Sequence, residues 1–250
     1  MASPDDVDRI APSRRPSGPN AGRQTWRDLL LLHWSVDADA LRDLIPAELE
    51  LDLLHGQAWV GVVPFSMVDV RTRWHPPRTG LNFLEANLRT YVRHPQHGPG
   101  VWFLSLEASS RLAVEVARWR WSLPYHHASM VRDGEDRRRF SSRRRFSSRR
   151  RSDGAALEVA WTPGTLRGPS EPGTDEHFLL ERYLLFAEHR DRLHVGQVHH
   201  QPYERLDVHD VEVSESLLAA CGLPAAQGAP TFAHGSPGVD VEVFALRPCG

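Results

Sequence analysis

The residues best suited to chemistry lie in one run, Phe83 to Arg93 (FLEANLRTYVR). Alternation along a strand puts Leu84, Ala86, Leu88 and Thr90 on one face and Glu85, Asn87, Arg89 and Tyr91 on the other. On an open sheet the second face meets water. In a closed barrel it lines an interior, where Glu85 and Arg89 either pair with each other or bind a ligand together with Asn87. A guanidinium clamps a carboxylate through two parallel hydrogen bonds, and a carboxyl and an amide orient its other polar groups.

Three further groups carry titratable side chains. Leu123-Pro124-Tyr125-His126-His127 offers one histidine to a pocket as a general acid or base near neutral pH, and the neighbouring histidine points elsewhere. His199-His200 precedes Gln201-Pro202-Tyr203, again with at most one ring inward. On a helix after Thr174, Phe178, Leu179, Arg182, Tyr183 and Phe186 share a broad face. An arginine buried there needs a carboxylate, and Glu85 is a candidate partner. His33, inside an apolar run, reads as a hydrogen-bonded core residue.

Several chemistries are excluded. The chain has no lysine, so a Schiff base with a carbonyl substrate has no side-chain amine to form it. There is no GxGxxG, no GxxxxGK[ST], no HExxH and no G-x-S-x-G. No cofactor is therefore expected. The 14 histidines show no spacing that converges three or four metal ligands, so no metal is expected either. Two cysteines, Cys221 and Cys249, make no disulfide framework and suggest a reducing, cytoplasmic setting. No apolar run spans a bilayer. Self-association is compatible with the sequence and not specified by it.

Charge is balanced overall, at −2, but not locally. Residues 137–152 read RRRFSSRRRFSSRRRS, two copies of a hexapeptide and the start of a third. Between Arg132 and Arg151, ten arginines and three acidic residues give +7. Such a run reads first as a solvated hairpin enlarged by duplication. With Phe140 and Phe146 interleaved, Arg137 to Arg151 also suits phosphate contact and base stacking, which makes a nucleic acid an alternative partner.

The elements that must position these groups are mostly strands. Pro, Ser, Asp and Arg in residues 1–24 indicate a disordered leader. Trp26 to Trp34 reads as a strand, and Ala38 to Ile45 as a short helix capped from Ser35 or Asp37. Leu49 to Leu54 and Ala58 to Phe65 read as a hairpin, with Pro64 ending the second strand or marking an edge. Strands Phe83 to Arg93 and Val101 to Glu107 follow. A helix from Ser110 to Trp121 carries a stripe of Leu112, Val116 and Trp119 and stops before Pro124. Later expectations are a strand at Leu157 to Trp161 and a helix from Thr174 to about Glu188. Strands then run over Val195 to His199 and Leu206 to Val213, with a helix over Ser214 to Cys221. Phe232 and Val239 to Leu246 supply the last strands. This is an α+β pattern dominated by antiparallel sheet.

Seven segments in order resemble one family. They are ALRDLIPAELELD, GQAWVGVVPFSM, FLEANLRTYV, GVWFLSLEASSRLAVEVAR, LPYHHASM, FLLERYLLF and VHHQPY. Together they resemble the YqjF-like family (domain of unknown function 2071), within the acetoacetate-decarboxylase-like superfamily. The resemblance implies one domain over residues 25–250 with an arginine-rich insertion at 137–152. It also implies a cone-shaped, mainly antiparallel barrel flanked by helices around a pocket. The decarboxylase carries its lysines just after the proline that ends the helix. The matching positions here are Tyr125 and His126, which form no imine. Its pocket glutamate matches Glu85. The family has one aromatic-Ser-x-Arg strand in the arginine-rich region, so one RRRFSS copy corresponds to that strand and the other to an insertion.

On such a fold the polar face of the Glu85 strand turns inward. A pocket lined by Glu85, Asn87, Arg89, Tyr125 and His126 is then expected to hold a small organic carboxylate or related metabolite. Arg89, Asn87, Arg182 and Tyr183 would bind it. The alternative is an acid-base enzyme without an imine, with His126 or Glu85 moving protons and Tyr125 or Arg89 stabilising an oxyanion.

Overall fold

The alternating and apolar runs become strands, and most are longer than their hydrophobic centres suggest. A computed structural model describes residues 7–133, 143–226 and 228–250. In chain order the strands are β1 (Gly22–Val36), β2 (Glu50–Leu51), β3 (Ala58–Thr72), β4 (Leu81–His94) and β5 (Gly98–Ala108). They continue with β6 (Tyr125–Asp133), β7 (Arg144–Arg150), β8 (Ala156–Gly168) and β9 (Leu184–His189). The last are β10 (Arg192–His199), β11 (Arg205–Glu215), β12 (Phe232–Val243) and β13 (Arg247–Pro248). Four short α-helices intervene among the described residues: α1 (Ala38–Arg42), α2 (Arg111–Trp121), α3 (Asp175–Leu180) and α4 (Leu217–Ala220).

All these strands belong to one sheet, and its pairing closes on itself. From β4 the ring runs through β5, β6, β7, β8, β11, β12, β1 and β3 and returns to β4. A second path leaves β5 through β9 and β10 and rejoins β12. Pairing is antiparallel except where β5 meets β6 and β9. The first exception follows from α2, which carries the chain back over the sheet so that β6 starts in the direction of β5.

The run Leu29-Leu30-Leu31-Leu32 has apolar residues on both faces of β1 because both faces are covered. Leu29 and Leu31 pack with Val63, Phe65, Met67 and Tyr91. Leu30, Leu32 and Trp34 pack with Val60, Val62, Leu88, Phe146 and Leu157. Pro64 sits inside central β3, not at an end. It lies where the register between β1 and β3 slips from Arg27–Ser66 to Leu32–Val62, so no β1 carbonyl is left waiting for its missing N–H.

Several expectations are corrected. The hairpin of 49–54 with 58–65 does not form; β2 pairs with β4, and near the turn a Leu54–Gln57 bridge and the Trp59 indole, which donates to the Leu54 carbonyl at 3.3 Å, hold the chain. The helix after Thr174 stops at Leu180, although Thr174 caps it as expected. Residues 184–189 instead form β9, because they complete a ladder between β5 and β10 that a helix would leave unpaired. The other two short helices shrink to Ala38–Arg42 and Leu217–Ala220. Residues 7–21, expected as part of a disordered leader, are docked; residues 1–6 lie outside the described residues. Arg9 reaches Asp52 with both terminal nitrogens at 2.6 and 2.7 Å, and Gln197 donates to the Pro12 carbonyl at 2.7 Å. Cys249 is buried, and its N–H is held by the Leu193 carbonyl.

The second RRRFSS copy is a sheet strand, β7, between β6 and β8. Phe146 is buried in the core, which removes it from base stacking. Arg144 and Arg132 share Asp28, Arg143 meets Glu212, and Arg150 meets Glu107. Phe140 and the first copy, 137–142, lie outside the described residues.

Candidate ligand pocket

The Glu85 face of β4 opens into a cavity of about 510 Å³. Its buried polar lining comes from Glu85, Asn87, Arg89, Tyr125, Arg182 and Tyr203; Arg23, Gln24, Arg71, Thr72, His75, Thr79 and Arg120 also line it, and most other lining side chains are apolar. Strand alternation brings Glu85, Asn87 and Arg89 to this wall, and the pairing of β6 beside β5 brings Tyr125 to it as well.

Glu85 is 3% exposed and accepts a hydrogen bond from the Tyr125 hydroxyl at 2.8 Å. Burial pushes its carboxyl up to about 8, against the Tyr125 hydrogen bond and with the charge of Glu107 adding to the rise. Glu85 is thus mainly a neutral acid at pH 7. Burial, and then the Glu85 carboxyl, raise the Tyr125 phenol far above its ordinary value.

Arg89 is 8% exposed. One terminal nitrogen donates to the Leu179 carbonyl at 3.4 Å, and its Nε has no partner. Its guanidinium lies 5.8 Å from the Tyr91 ring, and no carboxylate among the described residues pairs with it. Gly61 faces Arg89 on β3; a Cβ there would lie 3.1 Å from the Tyr91 hydroxyl and 3.3 Å from the His33 ring. The Asn87 Oδ1 is also buried without a partner.

Arg182 meets Asp52 at 2.6 Å and Phe178, by its carbonyl and its ring face; it does not meet Glu85. Asp52 holds Arg9 as well. Against the rise that burial alone would cause, Arg9 and Arg182 keep its carboxyl below the usual range. Two guanidinium groups share one carboxylate, and one Arg182 nitrogen stays free.

Two expected pocket residues are elsewhere. His126 follows Tyr125 on the strand and therefore points to the opposite face, where burial and the charges of Arg150 and Arg118 lower its pKa. Tyr183 does not line the cavity. Its hydroxyl donates to Glu181 at 2.5 Å and its ring stacks on His200 at 4.6 Å. Glu85 and Arg89 do not pair with each other. Sequence reasoning missed Asp52, one of two carboxylates in LELDLL with nothing in that pattern to set it apart from Glu50, and the buried Glu107–Arg150 pair behind the pocket wall at 2.6 Å. His33 is buried as expected, yet neither of its ring nitrogens has a hydrogen-bond partner. Among the described residues no group of three or more His, Cys, Asp or Glu is arranged to hold a metal. No helix there is long and apolar enough to cross a membrane.

A single sheet closed into a barrel-like ring around such a cavity is the acetoacetate-decarboxylase-like fold. The chain resembles acetoacetate decarboxylase from Legionella pneumophila, with a TM-score of 0.62, 14% identity and coverage of 100% of this chain and 98% of that one. It also resembles a structure described as the enduracididine biosynthesis enzyme MppR complexed with pyruvate. There the TM-score is 0.58, with 11% identity over 95% of this chain and 93% of that one. Within that fold the chain belongs to the DUF2071 family, described as an uncharacterized conserved protein, whose model matches residues 23–240. Uncharacterized protein YqjF of Bacillus subtilis is 36% identical over 227 residues, 90% of this chain and 91% of that protein.

Proposed function

We propose that the cavity binds a small organic carboxylate, with Arg89 holding the anion. The observation that carries this is a buried guanidinium with an unpartnered Nε and no counter-ion among the described residues, on the wall of a cavity. Removing a charge from water is costly unless a partner offsets the loss, so the site favours an anion. Arg182, which shares its carboxylate with Arg9, adds to the positive field. The complex of MppR with pyruvate supports the reading by likeness of fold. Chemistry on the bound acid proceeds without an imine, since there is no lysine.

A thermal-shift series with pyruvate, acetoacetate and longer carboxylates tests it. Ligand that binds only the native state raises its stability with occupancy. Wild type should gain and Arg89→Met should not. Equal gains in both would sink the assignment.

A second reading is supported by the Glu85–Tyr125 pair: catalysis by proton transfer. A carboxyl that titrates near 8 can both give and take a proton close to neutral pH. Exchange into heavy water of the protons beside the keto group of a bound long-chain keto acid, with that group several carbons from the carboxylate, followed by NMR, would report it. Glu85→Gln should abolish the exchange while leaving binding through Arg89.

A further inference from the structure

The groups on β4 are arranged as a gradient. Along one face, Leu81 is 38% exposed, then come Phe83 at 9%, Glu85, Asn87 and Arg89, and beyond the cavity lining the fully buried Tyr91. Residues four apart on a strand are separated by about 13 Å. The Arg89 guanidinium lies 5.8 Å from the Tyr91 ring and donates to the Leu179 carbonyl at 3.4 Å, without pairing with Glu85. A three- or four-carbon keto acid held by Arg89 would therefore stop short of the Glu85–Tyr125 pair.

The Leu81 side of the cavity is lined mainly by apolar side chains, Phe65, Met67, Phe83 and Phe103, with Leu112 and Val116 of α2 beside them; Arg71, His75, Thr79 and Arg120 add polar groups to the lining. The stripe of Leu112, Val116 and Trp119 read from the sequence is exposed. Leu112 is 59% exposed, Val116 48% and Trp119 78%, while Val114 is buried instead. An apolar stripe facing water at a cavity mouth has a use if a ligand's chain covers it.

We propose that this pocket takes an extended amphipathic monocarboxylate. Its head sits on Arg89, its chain passes Glu85 and Tyr125, and its apolar tail reaches the Leu112–Val116 rim. This rests on the carboxylate reading above and adds the length and polarity of the ligand. At about 1.3 Å of advance per carbon, from C–C bonds of about 1.5 Å, the Arg89-to-Glu85 span takes roughly ten carbons. The cavity of about 510 Å³ is in the range of pockets that hold drug-sized ligands.

The test is calorimetric titration of straight-chain carboxylates from four to sixteen carbons, with the matching alcohols as controls. The proteins are wild type, Arg89→Met and the double variant Leu112→Glu/Val116→Glu. Both rim positions are exposed, so the double variant should keep the fold, checked by its unfolding temperature. Expected is a gain of about fourfold in affinity per methylene that continues past the roughly ten carbons needed to reach Glu85 and ends once the tail clears the rim. Arg89→Met should weaken the whole series at least tenfold. The rim variant should weaken only the longer members. Affinity independent of chain length, with Arg89 still required, overturns the extended ligand and leaves the carboxylate reading standing. Alcohols binding as well as acids, or no acid binding at all, overturns both. A rim variant that changes only self-association in sedimentation would make the stripe an interface between copies and also defeat the proposal.

Discussion

Glu85 keeps its proton in the folded protein up to about pH 8, whereas the unfolded chain releases it near the ordinary 4.5. Between those values the unfolded state binds fewer protons, so this residue makes stability fall as pH rises, and the fall ends above about 8. Glu85→Gln removes the titration. The variant should gain on wild type between pH 5 and pH 9 by up to roughly 5 kcal/mol, read from urea midpoints. A pH-independent gap would show that the carboxyl is not raised. Arg89 poses the opposite case, a charge without a counter-ion among the described residues. Arg89→Met should unfold at the same temperature as the ligand-free wild type or a few degrees higher, even as binding is lost, since function and stability compete at such a site. A large drop in unfolding temperature would make the Leu179 hydrogen bond, not ligand binding, the reason for Arg89.

At the scale of elements, β5, β6 and β7 are stapled behind the pocket wall by Glu107 and Arg150, which are 0% and 3% exposed at the side chain. Arg150→Met leaves the buried Glu107 carboxylate alone and should cost about 3–5 kcal/mol, whereas Glu107→Gln should cost less, because Asp153 still meets Arg150 at 3.0 Å. Changing both, Glu107→Leu with Arg150→Met, should recover much of the loss. Equal, additive costs in chemical denaturation would argue against the pairing. Glu107 also raises Glu85, so the single variant should lower the pH midpoint of any Glu85-dependent exchange. Phe146→Ala in β7 should cost about 3–5 kcal/mol, as for other large core truncations. The helix expected after Thr174 is the element that sequence misread most, despite a sound cap and a helical stripe. Those local signals are worth little against the six-pair ladder β9 gains with β10 and the two further pairs it makes with β5.

For the molecule as a whole, the ring has to be closed and one end of it covered. The segment before β1 contributes to both, through Arg9 on Asp52 and through Asn20, which donates to Glu242 at 2.7 Å. Deleting residues 1–20 should lower the unfolding temperature, by about 2–4 °C for each kcal/mol that these bonds supply. An unchanged melt would mean that they are idle in solution.

Short-range repetition is the part of this protein that can be read from its letters. Alternation over residues 83–93 separated Glu85, Asn87, Arg89 and Tyr91 from the apolar face. The helix to Pro124 set the entry to Tyr125, and the absence of lysine excluded the imine. Side chains two residues apart on a strand share a face whatever surrounds them. Which face turns inward is a matter of tertiary packing. That packing sent His126 away from the pocket and gave Arg182 to Asp52 rather than Glu85. It also turned Leu112 and Val116 toward water and folded Phe146 into the core. Those outcomes depend on partners far apart in the chain, on the closing of the ring and on the desolvation that closure imposes. None of these leaves a local pattern to read.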